Sequence, residues 1–302
     1  MDLLQDHLIR ARATGGVFAR SGANPPWGLR LSGIQLAVHA VIEGQLWLWT
    51  EAGDDAVALR TGDLAFVRGG PDHFLAHEPG APCVPHDEFR RDHATDEAQL
   101  GRQGAVFLCG AYQFAGDIGA DLVDALPPVL AVPASVDDPL HGVLTLLSRE
   151  MTLPQPGQQT VLDRLLDVLV VLGLRTGLAG SADAPAWFRA LGDRRLSRAL
   201  QAIHESPGQQ WTVEKLAKVA LMSRASLARN FQHTLGQTPM QYLVDWRMTL
   251  ARDLLLADGL SLAQVADRIG YSSPYAFATA FRRHHGEAPG RWRRQHTLNA
   301  PA

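Results

Sequence analysis

A chain of 302 residues that is 46% hydrophobic and 20% charged is long enough for two domains and can bury a core in each. With only Cys83 and Cys109 it has too few cysteines for a disulfide framework, and it has no C-x-x-C spacing. The net charge of −3 hides an asymmetry, because residues 193–302 hold 15 Lys and Arg against 8 Asp and Glu while the residues before them hold 13 against 23.

The opening stretch "MDLLQDHLIRARATGG" lacks the charged, then apolar, then small-residue layout of a secretory signal. The longest apolar run, Leu165 to Leu174, is short and interrupted by Asp167, so no membrane span is expected. A reducing, cytoplasmic setting follows. From Gly33 to about Pro133 short apolar runs are bounded by Gly, Pro and Asp, as in "LAVHAVIEGQLWLWTEAGDDAVALRTGDLAFVRGGPDHFLAHE". These read as closely spaced antiparallel strands, with turns at Gly53-Asp54-Asp55 and Thr61-Gly62-Asp63, and suggest a small barrel or jelly roll. His77, Cys83, His86 and His93 follow in a Pro-rich stretch that reads as an exposed loop. Cys109 sits in the strand-like "AVFLCGAY", where it is either a small buried residue or a redox-sensing thiol.

"QTVLDRLLDVLVVLGLRTGL", Gln159 to Leu178, places Leu162, Leu165, Leu166, Leu169, Val170 and Leu172 on a wide apolar stripe, with Asp163, Arg164 and Asp167 opposite. The stripe either packs on the barrel or forms a dimer seam. "GLAGSADAPAW", Gly177 to Trp187, reads as an inter-domain linker. The C-terminal third is dense in helix signals. Leu196, Leu200 and Ile203 recur at helical spacing ahead of Pro207-Gly208. Thr212, Ser223, Ser261 and Ser273 stand at cap positions, and Thr238-Pro239 opens a long helix to about Ala257.

One pattern occurs twice here. Ser223 and Ser273, Leu227 and Phe277, Phe231 and Phe281, Gly236 and Gly286, and Pro239 and Pro289 share an offset of 50, whereas Leu216-Ala217 matches Val265-Ala266 at 49. Each copy is a short helix, a tight turn and a second helix, so the second copy carries one extra turn residue. A connecting helix of about nineteen residues spans roughly 28 Å, which with its flanking turns approaches the repeat of duplex DNA.

Residues from about Asp193 to Gln295, and "YSSPYAFATAFRRHHGEAPGRWR" above all, resemble the DNA-binding domain of the AraC/XylS family of transcription regulators. "HAVIEGQLWL", "LRTGDLAFVRGGPDHFL", "VFLCGAYQF" and "LPPVLAVP" resemble the cupin-like ligand-binding domain of one branch of that family. The resemblance implies an α+β multidomain chain with a cupin-like β-barrel over 1–135, a helical, dimerisation segment over 136–178, a linker over 179–192 and an all-α domain of two helix-turn-helix units joined by a long helix over 193–302. It implies Ala225, Ala228 and Arg229 in the first unit, and Pro274, Tyr275 and Thr279 in the second, as positions facing bases. Arg229 has the reach for a bidentate contact to guanine. Arg224 and Ser226 flank that face, and Ser223, Ser273, Arg282 and Arg283 suit phosphate contacts.

In the barrel, His39, Glu43, Trp47 and His73 are the candidate ligand-binding residues. Metal-binding cupins present a His-x-His pair, a Glu and a later His; here Val41 replaces the second His, so an organic effector with no metal and no cofactor is expected. The implied partners are double-stranded DNA, a small-molecule effector, a second copy of the chain and RNA polymerase, with activation and repression both open. The competing readings are a cupin-type metal-dependent enzyme fused to helices and an architectural DNA binder without a ligand.

Overall fold

The computed structural model describes residues 14–51, 55–70, 72–92, 100–113, 123–133, 138–152, 155–181, 184–256 and 259–297. Gly53, Asp54 and His93, expected in a turn and a loop, lie outside the described residues. The chain divides into two compact bodies, one drawn from 13–114 and 122–184 and the other holding 185–302.

Among its described residues the N-terminal body contains ten strands in chain order: β1 (Thr14–Ala23), β2 (Gly28–Leu31), β3 (Leu36–Glu43), β4 (Gln45–Thr50), β5 (Val57–Arg60), β6 (Leu64–Arg68), β7 (His73–Ala76), β8 (Val84–Pro85), β9 (Ala105–Gln113) and β10 (Val129–Val132). They form two five-stranded sheets, ordered β1-β9-β3-β6-β10 and β5-β4-β7-β2-β8. All pairings are antiparallel except β2 with β8, where Leu29 faces Val84 and Arg30 faces Pro85 in parallel. The sequence reading expected antiparallel strands throughout. β7 already occupies one edge of β2, and the short return through 77–83 lays the two residues of β8 along the other edge in the same direction.

Tight turns set the registers. Gly62 takes φ +90° and the Asp63 carboxylate accepts from the Arg60 N–H at 2.8 Å, which closes the β5–β6 turn. Leu29, Leu46, Leu48, Leu59, Leu75, Phe89 and Phe107 form a buried core, in which Trp27 stacks on Phe107 at 5.0 Å. β4 alternates buried with partly exposed positions, as a strand with one wet face does. β3 and β6 are instead buried almost continuously, because a helix covers the second face of their sheet.

That helix is α3 (Gln158–Leu178), which follows α1 (His86–Asp92) and α2 (Pro139–Glu150). Its buried face comprises Leu162, Leu166, Leu169, Val170, Gly173, Leu174 and Leu178. A Cβ on Gly173 would lie 2.5 Å from the Phe66 ring, and one on Gly177 would lie 2.7 Å from Val132, so these glycines let the helix axis sit close to the sheet. Asp167, expected opposite the apolar stripe, accepts a hydrogen bond from the Tyr112 hydroxyl on β9. Leu165 and Leu172, expected within the stripe, are only half-buried.

The C-terminal body is all helical among its described residues: α4 (Ala186–Leu191), α5 (Arg194–Glu205), α6 (Val213–Ala220), α7 (Arg224–Leu235), α8 (Pro239–Leu256), α9 (Leu262–Arg268), α10 (Pro274–His285) and α11 (Pro289–Thr297). The expected linker over 179–192 is thus helical in its second half, and Ala190 of α4 is buried in the C-terminal core. The cap assignments hold: Thr212 accepts from the Lys215 N–H at 3.2 Å, Ser223 from Ser226 at 3.2 Å and Ser273 from Ala276 at 3.1 Å, while Ser261 and Gln264 close a capping box. Thr238 and Gln241 exchange the same reciprocal bonds at the start of α8. Leu227, Phe231, Phe277 and Phe281 are fully buried at matching positions of α7 and α10.

Candidate nucleic-acid interface and effector cavity

The two helix-turn-helix units superpose in pattern as well as sequence. Across the first turn, the Met222 N–H donates to Ala217 O at 2.9 Å, and across the second, Tyr271 donates to Ala266 O at 2.9 Å. Leu221 and Gly270 occupy the left-handed position in each turn, with φ of +55° and +80°. These pairs share the offset of 49, and the offset of 50 begins at the caps Ser223 and Ser273. The extra residue of the second unit is therefore Ser272, placed between turn and cap.

Beyond the caps, α7 and α10 present matching faces. Leu227 and Phe277 point inward, whereas Arg224, Ala225 and Arg229 in the first unit and Pro274, Tyr275 and Thr279 in the second are exposed. Tyr275 retains 82% of its surface. Ala228 and Ser226 are half-buried, so on this face Arg229 has the longer reach. Arg224 forms an exposed ion pair with Glu214 of α6 at 3.1 Å, which ties it to its own unit. Arg282 and Arg283 are exposed in the last turn of α10, where cations also face the negative end of the helix dipole. The same offset places Gln232 and His233 at the equivalent exposed positions of α7. The sequence reading did not assign those two, although the offset of 50 that it used identifies them directly.

In the N-terminal body, a cavity of about 620 Å³ opens between Arg20, Arg30, His39, His86, Arg90 and Cys109, with Leu31, Ile34 and Met151 among its apolar walls. His39 lies on β3 and pairs across the sheet with Cys109 on β9, whose Sγ is 3.2 Å from His39 Nδ1. His39 Nε2 is 2.9 Å from His73 Nε2 at the start of β7, so the second sheet meets the first through two imidazoles. Burial holds both rings in the neutral form: His39 is held well below the usual imidazole range, with His73 adding to the effect, and His73 is held at about 4. Burial also pushes the Cys109 thiol up, which leaves it protonated at neutral pH. A thiol that donates to Nδ1 leaves His39 its own proton on Nε2, to donate to His73.

Of the four candidate ligand residues, His39 lines the cavity and His73 backs it at one remove. Glu43 is exposed at the far end of β3, beyond a register shift that follows Val41, and Trp47 is half-buried on β4. Neither joins the histidines. Among the described residues, no group of three His, Cys, Asp or Glu has the geometry to hold a metal ion. None of the described helices is long and apolar enough to cross a membrane.

Comparison with known proteins agrees with both bodies. A cupin family model matches residues 2–179 and a helix-turn-helix domain model matches residues 216–295. A curated chain of Streptomyces lividans described as an AraC-like transcription regulator is 31% identical over 305 residues, covering 99% of this chain and 100% of that one. The chain belongs to the AraC-type transcription regulators. The HTH-type transcriptional regulator AlkR of Acinetobacter baylyi is 31% identical over 271 residues, covering 86% of this AraC-type chain and 88% of its own. The DNA-binding domain of AdpA, solved in complex with a target DNA, is 33% identical over 36% of this chain and 97% of that one, at a TM-score of 0.34. This AraC-type chain is accordingly a DNA-binding transcription regulator with a cupin-like N-terminal domain, and it is not an enzyme.

Proposed function

We propose that this regulator binds a DNA site of two half-elements about one helical turn apart with a single chain, and that a small organic effector in the barrel controls it. The carrying observation is the pair of matched outward faces on α7 and α10, joined by an α8 of 18 residues that spans roughly 27 Å. Arg229 and Tyr275 lead the base-facing sets Ala225, Ala228 and Arg229 and Pro274, Tyr275 and Thr279. Ser223, Ser273, Arg282 and Arg283 hold phosphates, and Arg224 and Ser226 flank the first set. Selection of duplexes from a random pool, followed by footprinting, tests the reading. Protection over two successive major grooves on one face is expected, and protection of a single groove counts against it.

The effector reading rests on the cavity beside His39. The guanidiniums of Arg30 and Arg90 on its rim suit an acid group, and its apolar walls suit a hydrocarbon body. One iron, nickel or zinc per purified chain, lost when His39 and His73 become alanine, would overturn the absence of a metal from this reading. A second copy of the chain fits the outer face of α3, where Val161 and Val168 stay exposed at 40% and 43% in line with half-buried Leu165 and Leu172. Sedimentation of the full-length protein as a monomer at micromolar concentration would argue against that pairing. RNA polymerase is the partner expected of an activator, in the cytoplasm where the DNA is.

A further inference from the structure

We infer that Arg247 is the positioning residue that sets the phase between the two helix-turn-helix units. It lies in the middle of α8 and is buried, with 8% of its surface exposed. Its Nε donates to Pro207 O at 2.8 Å and its Nη2 to Gln209 O at 2.9 Å. Both carbonyls belong to the turn that leads from α5 into the first unit. The guanidinium carbon also stands 5.8 Å from the ring centroid of Tyr271, which follows the left-handed Gly270 in the turn of the second unit. One side chain of the connecting helix thus touches the entry to the first unit and the turn of the second.

The two segments also meet directly. Gln210 Nε2 donates to Gly270 O at 2.9 Å. A Cβ on Gly270 would lie 2.4 Å from Gly208 O and 2.7 Å from Arg247 Nη2, and one on Gly208 would lie 2.8 Å from Arg268 O. Two glycines facing each other without side chains leave a corner, and the guanidinium fills it. Among the described residues no carboxylate forms an ion pair with Arg247: its hydrogen-bond acceptors are two backbone carbonyls. A planar fork that satisfies two carbonyls at fixed angles orients both segments, whereas a point charge or an apolar chain would leave them free to rotate. An apolar residue would fill such a space at lower desolvation cost, so the cation here serves geometry.

This inference rests on the reading that one chain contacts two half-elements, and the test separates the two. Affinity of the full-length protein is measured on the selected operator with zero to five base pairs inserted between half-elements, and on a duplex with one half-element. Wild type is expected to lose about tenfold or more when the second groove turns to the opposite face. R247M is expected to vary by less than about twofold across the series while binding the single half-element as wild type does. A steep profile retained by R247M overturns the inference, as does a parallel loss on the single half-element, which a merely structural role would produce. A flat wild-type profile instead overturns the two-element reading and the role of the junction with it. If circular dichroism shows R247M unfolded, R247K replaces it, because it keeps the cation and stem but reaches one carbonyl. An intermediate profile is then expected, and a wild-type profile overturns the inference.

Discussion

On the proposed reading, Arg229 is the residue that carries the chemical specificity of the first unit's outward face, where it stands exposed. Ala225 and Ala228 offer methyl groups, and Arg224 is already paired with Glu214, a pair so exposed that it stabilises the fold by less than about 1 kcal/mol. R229A should therefore cost about 1–3 kcal/mol on the selected operator and relax preference at one base position, with a much smaller change on scrambled duplex. Equal losses on both duplexes, with a salt slope smaller by about one, would make Arg229 a phosphate anchor. The buried pair His39 and His73 supplies a second residue-scale expectation. Both pKa values are depressed on folding, so the unfolded chain binds more protons between about pH 4 and 6.5 and stability falls as pH drops through that window. For His73 a fall from 6.5 to about 4 corresponds to about 3 kcal/mol, fully present above pH 6.5. Urea unfolding of the N-terminal body at pH 7, 5.5 and 4.5 should show this loss. The double variant H39Q/H73Q should show less of it, and an unchanged pH dependence would refute the assignment.

At the scale of elements, the sequence foretold more than where helices begin. The cap serines, the Pro residues at first helical positions and the i, i+4 aromatic stripe each act within one or two turns, so a short window of sequence is enough to place them. The same windows leave part of α3 unread. Its stripe of leucines is legible, with Asp167 opposite, but helical periodicity knows nothing of Tyr112, 55 residues away on β9, whose hydroxyl donates to that carboxylate. Nor does periodicity reveal that Gly173 is a contact surface. G173A would gain about 1 kcal/mol of helix propensity, yet its new methyl group would overlap the Phe66 ring, which is itself 1% exposed and cannot yield. A net loss of about 1–2 kcal/mol is expected in denaturant unfolding of the N-terminal body. An unchanged or raised midpoint would show that the helix can lift off the sheet.

On the scale of the whole molecule, the duplicated pattern at offsets of 49 and 50 was enough to define two helix-turn-helix units and their caps, and the family resemblance implied their outward positions. Every residue of that pattern lies in a continuous stretch, and local backbone chemistry reproduces it in each copy. The change from short apolar runs bounded by Gly, Pro and Asp to helical spacing likewise separated a sheet-rich part from a helical one. What only the tertiary structure decided lies between distant residues. Residues 39, 73 and 109 form one chain of hydrogen bonds because three strands from two sheets bring them together. Glu43 and Trp47, closer to His39 in sequence, do not join it. Residues 208, 247 and 270 likewise meet at one corner because two turns without side chains close on a helix that connects them. Caps, turns and periodicity are properties of neighbours along the chain. Cavities and junctions depend on non-local packing, which no single window of sequence contains.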